Sequence, residues 1–216
     1  MTFTISTTMK EIPLSFQTES SLFSPKAIDS GTLAMLSSVD FLPSDKVLDL
    51  GCGYGVVGIL AAKLVGEANV VLCDSSETAV KYARLNAEAN SVPNINIILS
   101  NAFEHIPDND FTLILSNPPY HTDFSIAKHF IEEGFQRLDI GGRMVMVTKR
   151  LDWYKNKLAA IFGGVKVQEI DGYYVFIAEK RSQKKSSLKQ KNSNQLSKKL
   201  QRKQLSRRGS SLRTRQ

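Results

Sequence analysis

The stretch ILSNPPYHTDF (residues 114–124) places an asparagine, two prolines and a tyrosine directly after an apolar run typical of a buried strand. Proline donates no backbone hydrogen bond and has a fixed φ angle, and the residue before it is held extended. The chain therefore leaves the strand along a rigid path. We expect this rigidity to aim two acceptors at one point, the side-chain carbonyl of Asn117 and the backbone carbonyl of Pro118, where they would bind both hydrogens of a planar NH2 group.

Tyr120 adds an aromatic ring that can stack on the plane carrying such an NH2 group. The nitrogen of an exocyclic amine or an amide is a poor nucleophile because its lone pair is delocalised. Holding both hydrogens would turn that lone pair toward an electrophilic methyl group, and positioning would remove much of the entropic barrier. A sulfonium methyl donor is already activated, so no strong base is needed. The plainer interpretation is a strand-terminating turn with an exposed aromatic residue.

A second segment that could do chemistry is the glycine-rich turn DLGCGYG (49–55). Gly51, Gly53 and Gly55 allow a tight turn and let a ligand approach the backbone closely. The same stretch contains a G-x-G-x-x-G pattern that ends at Gly58, so it leaves NAD open beside other nucleotide-like cofactors. A glycine turn that serves only helix–strand packing is the remaining alternative.

Asp74 ends the next apolar run, 25 residues after Asp49, where a carboxylate can accept hydrogen bonds from both ribose hydroxyls of a nucleoside. The alternative is an N-cap for the following helix, because DSSE resembles a capping sequence. Ser75 or Ser76 could cap that helix equally well. The stretch SNAF (100–103) ends a third apolar run in the same way.

The elements that must position these residues alternate between apolar runs and helical patterns, which indicates a parallel sheet with helices on both faces. The predicted strands are 46–50, 69–74, 94–100, 111–116, 143–149, 165–170 and 173–180, and the predicted helices are 55–65, 77–90, 124–138 and 153–163. Gly141 and Gly142 are predicted to end the third of these helices. Asp171-Gly172 is a strong hairpin signal, so the sheet should end in an antiparallel pair.

We therefore expect an α/β fold with a doubly wound, mostly parallel, seven-stranded sheet that ends in an antiparallel hairpin. In an open α/β sheet, ligands bind beyond the carboxyl ends of the strands at the topological switch point. The asparagine, glycine and aspartate segments all lie at predicted strand ends, so they should meet at one site.

Charge divides the chain sharply. The 216 residues carry a net charge of +7, but residues 1–179 hold 14 Lys and Arg against 21 Asp and Glu, a net charge of −7. Residues 180–216 hold the other 14 basic residues with no acidic and no aromatic residue. A segment of that composition cannot fold alone. We predict an acidic domain at 1–179 and a disordered basic tail at 180–216.

Several classes of protein are disfavoured by composition. No stretch approaches the roughly 20 apolar residues of a membrane-spanning helix, and the N-terminal residues show no secretory signal pattern. The two cysteines, Cys52 and Cys73, form neither a disulfide framework nor a zinc spacing. We expect a soluble cytoplasmic protein with no membrane partner and no metal.

Four segments together resemble a known family: VLDLGCGYGVVGI, CDSSETAVKYARLNAEAN, FTLILSNPPYH and GGRMVMVTKR. They are similar to the successive motifs of class I S-adenosylmethionine-dependent methyltransferases of the small-domain family, and within it to bacterial ribosomal RNA guanine N2-methyltransferases. The resemblance covers about residues 12–179, and SLFSPKAIDSGTLAML (21–36) resembles the stretch that lines the mouth of the site. It implies a Rossmann-like fold, S-adenosyl-L-methionine as cofactor, and methylation of guanine N2 in ribosomal RNA.

The resemblance also implies a role for individual residues. Asp49, Gly51, Gly53 and Gly55 would surround the methionine part of the cofactor, Asp74 would bind the ribose hydroxyls, Asn101 and the Ala102 amide would bind the adenine edge, and Asn117, Pro118 and Tyr120 would hold the target amino group. Asn101 replaces the aspartate usual in the family. Its amide oxygen can still accept a hydrogen bond, without charge assistance. Phe23 and Thr32 could border the cofactor or simply pack.

Other functions stay open at this point. A glutamine side chain presents the same planar NH2 group, so a release-factor-type protein glutamine methyltransferase is the main alternative. His121 after the motif resembles the guanine-modifying group and speaks against a glutamine substrate. The basic tail also favours RNA, because Lys and Arg neutralise phosphates. The tail could instead aid solubility or contact acidic surfaces. A non-catalytic RNA-binding or assembly protein on the same scaffold is a further alternative, and a dehydrogenase is disfavoured because hydride transfer has no use for N-P-P-Y.

Overall fold

The computed structural model describes residues 1–118 and 124–182. Tyr120, His121 and the predicted tail from residue 183 onward lie outside the described residues. The strands are β1 Thr2–Met9, β2 Ile12–Glu19, β3 Val47–Leu50, β4 Val70–Asp74, β5 Asn96–Leu99, β6 Phe111–Ser116, β7 Leu138–Thr148, β8 Lys166–Ile170 and β9 Tyr173–Glu179. The helices are α1 Ser30–Ser37, α2 Val56–Val65, α3 Glu77–Ala89, α4 Phe124–Arg137 and α5 Leu151–Phe162. None of these helices is both long and apolar enough to cross a bilayer.

The main sheet has seven strands in the order β5-β4-β3-β6-β7-β9-β8. The pairs from β5 to β7 are parallel, and β9 runs antiparallel to both of its neighbours. Asp171 and Gly172 join β8 to β9 with φ angles of 49° and 75°, the left-handed backbone that a two-residue hairpin turn requires. The predicted doubly wound sheet with its terminal hairpin is confirmed.

Hydrophobic cores cover both faces of the sheet. Along β6, Leu113 and Leu115 belong to the core on one face, and Phe111 and Ile114 belong to the core on the other. All four side chains are fully buried. Central parallel strands covered on both faces read as continuous apolar runs, which is why this strand was predicted with its exact bounds.

The structure corrects the prediction for Gly141 and Gly142. Helix α4 ends at Arg137, and β7 begins at Leu138, so both glycines lie inside a strand. Gly141 has a φ of +87° and donates its N–H to the carbonyl of Lys180, whose own N–H donates to the carbonyl of Gly142. Glycine inside a strand often marks a bulge, and the register between β6 and β7 shifts here.

A separate two-stranded sheet, formed by β1 and β2, was not predicted from the sequence. Its turn residues, Lys10 and Glu11, have φ angles of 47° and 65°. Such turns normally carry Asn, Asp or Gly. A Lys-Glu pair gives no hairpin signal, which is why the sequence pattern did not indicate this element.

Two asparagines, Asn86 in α3 and Asn90 at its C-cap, attach this hairpin to the domain by pairing with the backbone of β2 as a neighbouring strand would. The Asn86 amide accepts from the N–H of Gln17 at 2.7 Å and donates to its carbonyl at 2.9 Å. Asn90 makes the same pair of bonds with Ser15, at 3.0 and 2.7 Å. Asn86 also donates to the carbonyl of Tyr54 at 2.9 Å, so it connects the hairpin to the glycine-rich turn.

We predict that Asn86→Ala lowers the free energy of unfolding by about 2–4 kcal/mol, because it removes three hydrogen bonds and leaves the buried carbonyl of Tyr54 without its partner. Urea unfolding of the two proteins at neutral pH measures this difference. Asn96→Ala is the matched control, since Asn96 is exposed on β5, and it should change stability by no more than about 0.5 kcal/mol. Equal effects of the two substitutions would contradict the proposed attachment.

Candidate active site

A cavity of about 310 Å³ lies at the carboxyl ends of β3, β4 and β6. The sheet order changes direction between β3 and β6, so this is the topological switch point at which open α/β sheets bind ligands. Eight of the ten predicted site residues line this cavity: Asp49, Gly51, Gly53, Asp74, Asn101, Ala102, Asn117 and Pro118. Gly55 does not line it, and Tyr120 lies outside the described residues.

The glycine-rich turn presents bare backbone to the cavity. Gly51 and Gly53 have φ angles of 79° and 56°, and a Cβ added at Gly53 would meet no atom within 4 Å. The N–H groups of Gly51 and Cys52 both donate to the carbonyl of Cys73 at 2.9 Å. The turn is therefore fixed against β4, while its outer side is open to a ligand.

Gly55 and Gly58 serve packing instead. A Cβ at Gly55 would lie 2.9 Å from Ile59 and 3.4 Å from Ala83, and a Cβ at Gly58 would lie 2.4 Å from Leu72. These glycines let α2 approach α3 and β4 closely. Two of the three glycines in the G-x-G-x-x-G pattern are therefore explained by packing, and the predicted contact of Gly55 with the cofactor stays a prediction.

Asp49 lies on β3, and its buried carboxyl group contacts the N-terminal turn of α2. Its Oδ2 accepts a hydrogen bond from the Gly58 N–H at 2.8 Å, and the residue is only 2% exposed. Burial raises the pKa of the Asp49 carboxyl to about 7, the Gly58 hydrogen bond opposes that rise, and the nearby Asp74 carboxylate adds to it. The Asp49 side chain therefore already accepts the Gly58 N–H at this helix N-terminus, where a dinucleotide-binding fold would bind a phosphate.

Asp74 is the last residue of β4, and its side chain binds the glycine-rich turn. Its Oδ2 accepts from the Gly53 N–H and its Oδ1 from the Ser76 N–H, each at 2.9 Å. Ser76, not Asp74, is the N-cap of α3, with its side chain accepting from the Ala79 N–H. The N-cap interpretation of Asp74 is therefore wrong. A carboxylate oxygen has more than one lone pair, so the fixed carboxylate can also accept from ligand hydroxyls.

Asn101 and Ala102 follow β5 at the far side of the cavity. The Asn101 Nδ2 donates to Glu104 Oε1 at 2.9 Å, which leaves its amide oxygen as the acceptor for a ligand. Ala102 has a left-handed backbone with a φ of 52°, and its carbonyl accepts from the Ser100 hydroxyl at 2.8 Å. Both predicted residues thus lie where a planar ring edge can reach them.

Asn117 follows β6 and is anchored by its amide nitrogen. The Nδ2 donates to Asp29 Oδ2 at 2.8 Å and to Thr32 Oγ1 at 3.0 Å. The Oδ1 is buried without a hydrogen-bond partner, and it is the only such side-chain atom in residues 1–118 and 124–182. Pro118 is buried beside it and lines the same cavity. The side chain therefore offers an acceptor, and only an acceptor, to a ligand.

Asp29 and Tyr54 are cavity residues that the sequence analysis missed, and Phe23 and Thr32 join them in the lining. Asp29 is the N-cap of α1. An Asp before a helical pattern indicates a cap, but no local signal connects it to an asparagine 88 positions later. Burial raises the pKa of the Tyr54 hydroxyl to about 12, with a contribution from Asp29, so this ring stays neutral.

The cavity is acidic. Asp29, Asp49 and Asp74 line it, and among the described lining residues there is no Lys or Arg. Carboxylates gathered in a partly enclosed site raise the local affinity for cations. The same field disfavours the pyrophosphate of a dinucleotide.

A doubly wound sheet with one antiparallel strand near its edge, and a nucleoside-sized acidic cavity at its switch point, define the class I methyltransferase fold. The sequence profile described as "Methyltransferase small domain" matches residues 13–177. The chain belongs to this family, as the motifs predicted.

Individual proteins agree with this assignment. The chain is 33% identical over 166 residues to the ribosomal RNA large subunit methyltransferase G of Alteromonas mediterranea, covering 72% of this chain and 40% of that protein. It is 34% identical over 158 residues to the ribosomal RNA small subunit methyltransferase C of Cronobacter sakazakii, covering 71% of this chain and 46% of that protein. It thus spans less than half the length of either relative.

Among solved structures, the chain is similar to the T. thermophilus 16S rRNA N2 G1207 methyltransferase in complex with AdoMet and guanosine. The TM-score is 0.75 at 25% sequence identity, and the match covers 83% of this chain and 51% of that one. The predicted Rossmann-like class I fold is confirmed.

The raised pKa of Asp49 predicts a pH-dependent stability. The folded protein binds this proton more tightly than the unfolded chain does, so the stabilisation is complete below about pH 4 and is lost as the pH rises through about 7. Asp49→Asn keeps an oxygen for the Gly58 N–H and removes the titration. Relative to wild type, the variant should gain up to about 1.4 kcal/mol per pH unit across this window.

Urea unfolding of wild type and Asp49→Asn at a series of pH values between 4.5 and 8 measures this difference. Titrating groups that do not interact with Asp49 are common to both proteins and cancel in the comparison. A difference that stays constant over the whole range would show that Asp49 does not titrate there.

Proposed function

We propose that this chain is an S-adenosyl-L-methionine-dependent methyltransferase that modifies an exocyclic amino group of RNA, with N2 of a guanine in ribosomal RNA as the substrate atom. The family and the fold support methyl transfer as the class of reaction. The acceptor geometry of the site supports a planar NH2 group as the target, and the choice of guanine N2 among such groups is supported by the similarity to RNA-modifying enzymes.

One observation carries the proposal: the buried, unpartnered Oδ1 of Asn117. An unsatisfied buried acceptor costs about 1–3 kcal/mol, so a side chain kept in this state is expected to receive a donor from a ligand. An exocyclic NH2 group supplies two donors in one plane. We assign one of them to Asn117 Oδ1 and the other to the backbone carbonyl of Pro118, and we assign the stacking contact to Tyr120.

The cavity fits S-adenosyl-L-methionine better than a dinucleotide. Its three carboxylates favour a ligand that carries a sulfonium and an ammonium group. The Gly58 N–H is taken by Asp49, so it is not free for a phosphate. Gly51 and Gly53 would hold the methionine part, Asp74 the ribose hydroxyls, and Asn101 with Ala102 the adenine edge. When bound, this cofactor supplies an electrophilic methyl group.

RNA as the substrate class is supported by the relatives, which are named as ribosomal RNA methyltransferases. The structural neighbour is described as acting on N2 of a guanine. A guanine amine is attached to a flat ring, which matches the proposed stacking contact. We extend the proposal to the basic tail, whose Lys and Arg residues would neutralise phosphates without choosing the base.

Product analysis tests the substrate. The protein is incubated with methyl-labelled S-adenosylmethionine and, separately, ribosomal RNA or protein extract from a strain lacking the gene, and the products are digested to nucleosides and amino acids. We expect labelled N2-methylguanosine from the RNA. Labelled N6-methyladenosine or N5-methylglutamine as the main product would contradict the proposed substrate, and absence of label in every fraction would contradict methyl transfer itself.

Asn117→Ala tests the proposed role of the acceptor. It should abolish methyl transfer, because the target amine loses its orientation, while calorimetry shows S-adenosylmethionine binding within about threefold of wild type and negligible NADH binding. Asn96→Ala, on the exposed face of β5, should change neither quantity. Unchanged turnover in Asn117→Ala would remove Asn117 from the reaction.

A truncated protein ending at Ser182 tests the tail. The truncated protein keeps Lys180 because this residue is buried, donates its backbone N–H to the carbonyl of Gly142 and donates from its ammonium to the carbonyl of Leu138. The truncated protein should bind RNA more weakly, and the logarithm of its affinity should fall less steeply with the logarithm of salt concentration. Equal affinity and equal salt dependence would assign the tail another purpose.

A further inference from the structure

An asparagine side chain has two ends of nearly the same shape and opposite hydrogen-bonding character. The amide oxygen only accepts, and the amide nitrogen only donates. A 180° rotation of the Asn117 amide would present two donors to the cavity in place of an acceptor, and it would repel the amino group of the proposed substrate. A neighbouring group must therefore fix the orientation of the Asn117 amide, so that its oxygen faces the ligand.

The two hydrogen-bond partners of the Asn117 amide nitrogen differ in whether they distinguish the nitrogen end of an amide from its oxygen end. Thr32 offers a hydroxyl at 3.0 Å, which both donates and accepts, so it would tolerate either end. Asp29 offers a carboxylate oxygen at 2.8 Å, which accepts only. An amide oxygen turned toward that carboxylate would meet a like charge with no hydrogen between them. Only the NH2 end can face Asp29.

Asp29 is itself held in place from several sides. It caps α1, because its Oδ2 also accepts from the Thr32 N–H at 3.0 Å. The first turn of the helix packs closely against the sheet, since a Cβ added at Gly31 would lie 2.8 Å from the ring of Tyr173 on β9. The carboxylate therefore reaches Asn117 from a fixed helix end. It polarises the amide as well, which strengthens the oxygen as an acceptor.

We propose that Asp29 is a positioning residue that fixes the orientation of the Asn117 amide and so sets the site to accept an amino group. This inference rests on the proposed function, since it concerns the same acceptor. Asp29 does not itself contact the reacting atoms in this proposal. Its positioning effect should therefore appear in turnover at saturating cofactor and not in the binding of RNA.

Asp29→Ser separates positioning from capping. Serine is as good an N-cap as aspartate, so α1 stays capped, but its hydroxyl both donates and accepts and no longer specifies which amide end faces it. We expect kcat, measured at saturating S-adenosylmethionine, to fall about ten- to a hundredfold, while KM for RNA and Tm stay close to wild type. Wild-type kcat in Asp29→Ser, or a loss explained by a lowered Tm, would overturn the inference.

A measurement independent of activity distinguishes this inference from the proposed function. In ¹⁵N NMR spectra, the side-chain NH2 pair of Asn117 is assigned by its absence in Asn117→Ala. Its protons should exchange slowly with solvent in the wild type and markedly faster in Asp29→Ser. Equal exchange in both proteins would refute the positioning role. If the wild type methylates nothing, the proposed function fails, and the NMR result still decides whether Asp29 fixes the amide.

Discussion

The candidate site depends on one asymmetric pair of interactions, in which the amide nitrogen of Asn117 is hydrogen-bonded on one side and its oxygen is buried without a partner on the other. A buried acceptor without a donor is unfavourable by about 1–3 kcal/mol. The folded protein keeps this state because the surrounding structure fixes the amide nitrogen. That arrangement is pre-organised for a donor, which is the condition under which a hydrogen bond can orient a substrate without rearrangement.

Two elements that are distant in sequence hold the Asn117 amide in place. On the strand side, Ser116, the last residue of β6, donates its buried hydroxyl to the carbonyl of Leu50 at 2.8 Å, which ties the ends of the two central strands together. On the helix side, Gly31 allows α1 to approach Tyr173. Asn117 lies between these two supports, so small movements of either one would change the direction of its amide.

The parts of the molecule whose signals are local can be predicted from the sequence. The strands from β3 to β9 follow from apolar runs, and Asp74 and Asn117 follow from their place at strand ends. Asp29 was not predicted, because its role depends on a residue 88 positions away. The β1–β2 hairpin was not predicted either, because Lys10 and Glu11 adopt left-handed backbone without the residues that usually signal it. The prediction for Gly141 was wrong because its positive φ belongs to an irregularity inside β7 and not to a helix end.

The glycine-rich turn shows how a structure resolves a pattern that is ambiguous in sequence. G-x-G-x-x-G is compatible with a dinucleotide as long as the helix that follows offers free amides to phosphate. Here Gly55 and Gly58 are explained by packing, and the amide of Gly58 is already bound to Asp49. The burial that raises the pKa of Asp49 to about 7 also makes its ionised form costly. A positively charged ligand would relieve that cost and an anionic one would increase it, so we propose that Asp49, more than the glycines that follow it, favours a cationic cofactor in this cavity.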